Sequence, residues 1–251
     1  MKFSANLGFL WAELPLPDAI RAAKAAGFDA VECHWPYATA AAETKAALDE
    51  TGLPMLGLNT LRGAAGENGL SALPGREAEA RAAIDQAIAY AEAIGAQAIH
   101  VMAGFASGER ARETFLENLR YAAETAPEPI ALLIEPLNRH DAPGYFLKTT
   151  DQAREIIADL GSPRVKLMFD CYHIGRTEGD LITRFRDLLP VVGHVQFASV
   201  PDRGPPDGGE IDYSVVLPAI RAAGWSAPLG AEYRPRGDTA GSLGWLRNFV
   251  R

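Results

Sequence analysis

The chain has 251 residues, 48 % of them apolar and 22 % charged, and a formal net charge of −8 at pH 7. This composition supplies a core and excludes disorder, and the acidic balance argues against nucleic-acid partners, which need a basic surface to neutralise phosphates. No apolar run approaches the roughly 18–20 residues of a membrane-spanning helix, and the start MKFSANLGFLWAELP lacks the features of a signal peptide, so a cytoplasmic protein without membrane partners is expected.

Short β-rich apolar runs alternate with helical patterns along the whole length. Strands are predicted at 2–7 (KFSANL), 30–34 (AVECH), 54–60 (PMLGLNT), 98–104 (AIHVMAG), 130–137 (IALLIEPL), 165–172 (VKLMFDCY), 192–199 (VGHVQFAS) and 228–234 (PLGAEYR). Apolar residues spaced three and four apart predict helices over 16–27, 40–52, 76–95, 111–126, 149–161, 180–190, 212–225 and 240–251. Gly27, Gly52, Gly95 and Gly161 stand where a left-handed residue closes a helix.

Strict alternation of strands and helices demands parallel strands joined by crossovers. A closed (β/α)8 TIM barrel, α/β in class, fits the count and the length; a doubly wound sheet is the alternative, although no GxGxxG turn follows the first strand. No composition break divides the chain, and residues 1–251 read as one barrel domain. Two long loops, 61–75 and 200–212, follow strand C-terminal ends and read as lids over the barrel mouth. Cys33 and Cys171 have no CxxC spacing and read as buried, reduced filler.

Four segments carry a polar residue to the end of an apolar strand: Glu135 after IALLI, Asp170 in LMFDCYH, Gln196 in GHVQFAS and Glu232 in PLGAEYRP. Alternate strand residues face the barrel lumen, so these four converge at the mouth from strands five to eight. Three carboxylates and an amide oxygen in one place repel unless a cation joins them, and oxygen ligands suit Mg²⁺ or Mn²⁺. The bland alternative is that each caps a strand or pairs with a nearby arginine.

Other polar residues fall at the same end: Asn6, Glu32, His34, Asn59 and His173, with Trp11, Trp35 and Tyr37 as candidate walls or as plain core. His194 and His100 read as deeper, hydrogen-bonded histidines. Arg203, in the loop after strand seven, is placed to grip an anionic substrate, with Arg176 and Arg234 as further candidates. Glu210 reads as a cap of the following helix.

The segments LLIEPLN, KLMFDCYHIGRTEGD, GHVQFASVPDRGPPDGGEIDY, GAEYRP and LPGRE resemble the hydroxypyruvate isomerases of the xylose isomerase-like barrel superfamily, which also holds ketose 3-epimerases and endonuclease IV. The resemblance runs over nearly the full chain. It implies Glu135 and Glu232 as the catalytic acid/base pair, a metal set of Glu135, Asp170, Gln196 and Glu232, and substrate contacts from His173, Arg203 and Glu32. Asn6 and Asn59 are further substrate-binding candidates.

Two departures stand out. Gln196 replaces the histidine that many epimerases use, which implies loose metal retention, and the 61–75 loop looks shorter than in the relatives. The implied activity, in carbohydrate metabolism, is isomerisation of hydroxypyruvate to 2-hydroxy-3-oxopropanoate through a metal-stabilised enediolate. Alternatives are a 2-dehydrotetronate isomerase or ketose 3-epimerase, a metal-dependent abasic-site endonuclease, and a barrel that binds a sugar acid without turning it over. An acidic barrel of this size is also expected, on base rate, to form a homo-oligomer.

Overall fold

Apolar runs flanked by amphipathic helices can bury both faces only as parallel strands wrapped by crossovers. The computed structural model describes residues 1–249. Its strands are β1 Phe3–Asn6, β2 Ala30–Glu32, β3 Leu58–Asn59, β4 Ala98–His100, β5 Ala131–Ile134, β6 Val165–Asp170, β7 Val192–Phe197 and β8 Leu229–Ala231. All pair in parallel, in the order β2-β1-β8-β7-β6-β5-β4-β3.

The remaining seam, between β2 and the short β3, is closed by backbone bonds. Val31 N–H donates to the Pro54 carbonyl at 3.0 Å, Leu56 N–H to Val31 at 2.8 Å and Cys33 N–H to Gly57 at 3.1 Å. The result is a (β/α)8 TIM barrel.

The helices are α1 Leu16–Ala25, α2 Ala41–Thr51, α3 Glu77–Ile94, α4 Glu109–Thr125, α5 Thr150–Leu160, α6 Cys171–Thr177, α7 Leu181–Leu188 and α8 Tyr213–Ala222. Gly52, Gly95 and Gly161 close α2, α3 and α5 at φ of 68°, 72° and 61°, in the left-handed region that penalises a Cβ. None of the described helices is long and apolar enough to cross a membrane.

Three elements differ from expectation. The sixth strand stops at Asp170, whose side chain accepts the Tyr172 N–H at 2.8 Å and so starts α6 where two more strand residues were predicted. The tail forms 3-10 turns over Ala240–Asn248 instead of an α-helix, with Gly241 and Gly244 lowering α-propensity; residues 250–251 of that prediction lie outside the described residues. Asp212, not Glu210, caps α8, accepting the Ser214 N–H at 2.9 Å.

Outside the barrel, Phe3 and Phe197 meet Trp245 edge-to-face at 5.1 and 5.4 Å. Inside, the lumen is half apolar, filled by Ala98, Leu133 and Met168, and half polar, filled by Ser4, Glu32 and His194. Both cysteines are buried and unpaired.

The two long loops are fastened to the barrel. Ser71 and Ala72 N–H groups donate to Met102 and Ala103 at 3.2 and 2.7 Å, extending the β4 side of the mouth. After β7 a tight turn, with Arg203 N–H on the Ser199 carbonyl at 2.9 Å, delivers the Arg203 side chain inward.

Candidate active site

Register decides which side chains meet. Met168 pairs with His194 and Asp170 with Gln196 across β6 and β7, and Gln196 pairs with Gly230 across β7 and β8, so these residues form two lumen layers. Gly230 leaves room for its neighbours: a Cβ there would lie 2.9 Å from Gln196 Cγ and from both Glu32 carboxylate oxygens.

Glu32 organises the lower layer. It accepts Ser4 Oγ–H at 3.3 Å, Asn6 Nδ2–H at 3.0 Å, Gln196 Nε2–H at 2.8 Å and His194 Nε2–H at 2.5 Å. Burial opposes a charge on His194, but Glu32 outweighs it and raises the imidazole above its ordinary value. Asn6 carries the network upward by also donating to Glu232 Oε1 at 3.1 Å. Asn6, Glu32 and Gln196 therefore line a small cavity beneath the mouth, one level below the position expected of substrate-contacting groups.

Above them opens a cavity of about 350 Å³, lined by Glu135, Glu232, His34, His100, His173 and Arg203 among others. Glu232 accepts three donors. Its Oε1 accepts His34 Nε2–H at 2.8 Å as well as Asn6, and its Oε2 accepts Arg203 at 2.6 Å. Burial works against its ionisation, yet Arg203 and His34 together hold the carboxyl below the usual range. Arg203 also stands 3.5 Å from Asp170 Oδ2, sandwiched between the rings of Phe9 and Tyr172 at 4.9 Å from each.

Glu135 is the opposite case. Burial first, then the charges of Glu232 and Asp170, raise it well above the carboxylate range. Asp170 is pushed up to about 7 by burial, with Arg203 pulling the other way. The two glutamates therefore face one cavity with their carboxyls shifted in opposite directions, the pattern of an acid/base division.

The backbone N–H of Asn138 donates to His173 Nδ1 at 3.0 Å, and the Asn138 carboxamide lies 2.8 Å from the same atom. A backbone N–H can only donate, so Nδ1 accepts and the proton of the neutral ring sits on Nε2. That Nε2 lies 3.8 Å from Glu135 and 3.7 Å from Asp170. Burial, then Arg203, keeps the ring neutral. His173 is thus a directed hydrogen-bond donor aimed between two carboxyls.

Glu135, Asp170 and His173 each offer a ligand atom, all within 4.8 Å of one another, a set able to hold a metal ion. Glu135 Oε1, Asp170 Oδ2 and Gln196 Oε1 are buried without a hydrogen-bond partner among the described residues, and such oxygens fit a hard cation. His173 fits less well, because its Nε2 lone pair becomes free only if the proton moves to Nδ1 against the Asn138 N–H.

A family profile described as xylose isomerase-like TIM barrel matches residues 20–249. The chain belongs to that family. Among proteins of known name, it is 43 % identical over 256 residues to the 2-oxo-tetronate isomerase of Cupriavidus necator, covering 99 % of this chain and 98 % of the relative. It is 38 % identical to the hydroxypyruvate isomerase of Escherichia coli, covering 98 % of both chains. A crystal structure described as AP endonuclease, family 2, from Brucella melitensis superposes with a TM-score of 0.95 at 36 % identity, over 100 % of this chain and 99 % of that one. The resemblance to hydroxypyruvate isomerases read from the sequence is borne out at the level of family and fold.

In this xylose isomerase-like barrel, Asn59 and Trp35 line the cavity as expected, whereas Trp11 and Tyr37 do not. Trp11 packs on Phe28 at 6.1 Å, and Tyr37 sits behind the wall, donating to the Asn59 carbonyl at 2.5 Å. Arg176 is engaged elsewhere, by Asp141, the Tyr172 hydroxyl and the Pro201 carbonyl. Sequence reasoning left Arg62, Asn68 and Phe9 unnamed; Arg62 and Asn68 lie on the 61–75 loop, already singled out for its length, and that was their signal.

The bond from His34 to Glu232 depends on Gly8. A Cβ there would stand 2.0 Å from His34 Nδ1, so Gly8→Ala must displace the ring. The variant is expected to fold and to lose about 10- to 100-fold in kcat/KM as Glu232 loses one of its donors. Steady-state kinetics beside a thermal melt check this, and an unchanged kcat/KM would remove His34 from the working site.

Proposed function

We propose that this protein is an isomerase of short 2-oxo sugar acids, interconverting hydroxypyruvate and 2-hydroxy-3-oxopropanoate. The carrying observation is the pair Glu135 and Glu232, which line one cavity with their carboxyls shifted in opposite directions. Identity to a 2-oxo-tetronate isomerase and a hydroxypyruvate isomerase supports the reading.

A C–H beside a carbonyl is a weak acid, and moving its proton needs a base within reach and donors on the oxygen that gains charge. Glu232, kept ionised, takes the proton from C3. Glu135, which burial keeps protonated, returns one to C2, while the hydroxyl proton passes from O3 to O2. His173 Nε2–H donates to the substrate oxygen that carries the developing charge, and exchange with water resets the two carboxyls.

Asp170 and Gln196 would hold a divalent cation through their free oxygens, with Glu232 completing the set and Glu135 adding the carbonyl oxygen of its neutral carboxyl, a weaker ligand than a carboxylate; Mg²⁺ or Mn²⁺ suits these donors. Such an ion, when bound, supplies polarisation of the carbonyl and neighbouring hydroxyl oxygens.

A second reading, isomerisation of 2-oxo-tetronate, is favoured by the cavity of about 350 Å³, which leaves room beyond a three-carbon acid for a hydroxymethyl group. Incubation with hydroxypyruvate, 2-oxo-tetronate and a ketohexose in D₂O tests both readings. Carbon-bound deuterium and isomerised product from either acid are expected; no exchange from either acid removes the proposal. Abasic-site cleavage is the rival that the Brucella relative's description raises, and a net charge of −8 opposes it. Strand scission of an abasic duplex would reinstate it.

A further inference from the structure

Substrates of the proposed kind carry a carboxylate, and the arginines around the cavity differ in what they already hold. Arg203 is engaged by Glu232 and Asp170, so its charge is not free for a ligand. Arg62 is placed differently. Its guanidinium lies 4.7 Å over the Trp35 ring at the cavity wall, and it forms no ion pair with any described residue. Glu67, the sole carboxylate within the 61–75 loop, is taken up by Arg76 and by the Ala64 N–H at 2.6 Å.

Asn59, at the end of β3, and Asn68, further round the same loop, line the cavity beside Arg62. Neither carboxamide is hydrogen-bonded to another described residue; Asn59 is engaged only through its backbone. One guanidinium and two amides thus present donors with nothing among the described residues to receive them, on one side of the cavity that holds the glutamate pair.

Their position is built in. The loop doubles back as Gly69 N–H donates to the Arg62 carbonyl at 2.7 Å, and Gly69 pairs with Ala103. Gly69, at φ 112°, lies so close to β4 that a Cβ would stand 2.5 Å from the Met102 carbonyl oxygen. The backbone at Arg62 is therefore clamped to the barrel.

We propose that Arg62, with Asn59 and Asn68, is the subsite that receives the substrate's carboxylate. The inference rests on the isomerase reading for the identity of the substrate, and it makes this loop, not Arg203, the element that selects monocarboxylates over neutral sugars. A guanidinium supplies two parallel N–H bonds to a carboxylate, and the flanking amides fix its orientation. Arg234, 5.9 Å over Phe9, is the competing cation.

Calorimetric titration with D-glycerate, a carboxylate without the 2-oxo group, tests the subsite apart from turnover. Arg62→Gln is expected to weaken glycerate by about 10- to 100-fold and to raise KM for the 2-oxo acid by a similar factor, with kcat held within about threefold. Asn68→Ala should cost about 3- to 10-fold, Arg62→Lys should fall between wild type and Arg62→Gln, and binding of methyl glycerate should be indifferent to all three.

Arg62 is exposed, so these variants are expected to melt with the wild type. Arg62→Gln binding glycerate like the wild type, Arg234→Gln carrying the loss instead, or a wild type that does not bind glycerate would each overturn the proposal. Arg62-dependent binding in a protein that turns over no 2-oxo acid would leave the subsite standing and remove the isomerase reading.

Discussion

Glu135→Gln and Glu232→Gln are each expected to lower kcat by about 10²- to 10⁴-fold, the range contributed by a positioned acid or base, with the barrel intact. The two variants should nevertheless differ. Glu135 Oε1 has no hydrogen-bond partner among the described residues, and its carboxyl is already driven toward the neutral form, so a neutral isostere should leave thermal stability unchanged or slightly raised. Glu232 accepts from Asn6, His34 and Arg203, and a glutamine there turns an N–H toward one of those donors. Glu232→Gln should therefore lose stability as well as rate. Deuterium exchange at C2 and C3 of recovered substrate, read beside a thermal melt, separates the cases. A variant retaining a tenth or more of wild-type kcat would exclude that glutamate from proton transfer.

Arg203→Met should cost about 3–5 kcal/mol of folding stability, because it leaves Glu232 and Asp170 buried without their shared counter-charge while conserving most of the side-chain volume. The site is unforgiving in a second way. Arg203 has φ of 54°, a left-handed backbone that its own N–H bond to Ser199 and the Arg234 N–H bond at 2.7 Å to its carbonyl hold in place. Urea denaturation of the single variant, of Glu232→Gln and of the double variant checks the attribution. The double variant should recover a substantial part of the loss, because the charge that Arg203 neutralised is gone. A loss below about 1 kcal/mol for Arg203→Met would show that the carboxylates are held by something else.

Much of this molecule was readable in one dimension. Glu135, Asp170, Gln196 and Glu232 were singled out because each is a polar residue at the end of an apolar strand, where it has no reason to be unless something meets it. Period-two alternation puts Asp170 on one face with Met168, and Gln196 with His194, and the register of β6 and β7 agrees. The helix-closing glycines were legible because a left-handed residue is a local demand that does not depend on distant contacts. The start of α6 was missed because Cys171 and Tyr172 continue an apolar run, while the capping bond that stops it comes from Asp170, a residue assigned another task. Glu32 was placed at the mouth because strand ends look alike in sequence; its level was set by His194 from the far side of the ring, 162 positions away.

What the sequence determined by itself is therefore the alternation of elements, the faces of the strands and the acids that end them, since each follows from periodicity or capping within a few residues. What only the tertiary structure decided is which of those groups is free. Asn6 and Glu232, 226 positions apart, share a hydrogen bond only because the barrel closes. Arg203 is consumed, and Arg62 is not, for the same reason. A donor's availability depends on every neighbour that ring closure brings to it, and that information has no local signature in the chain.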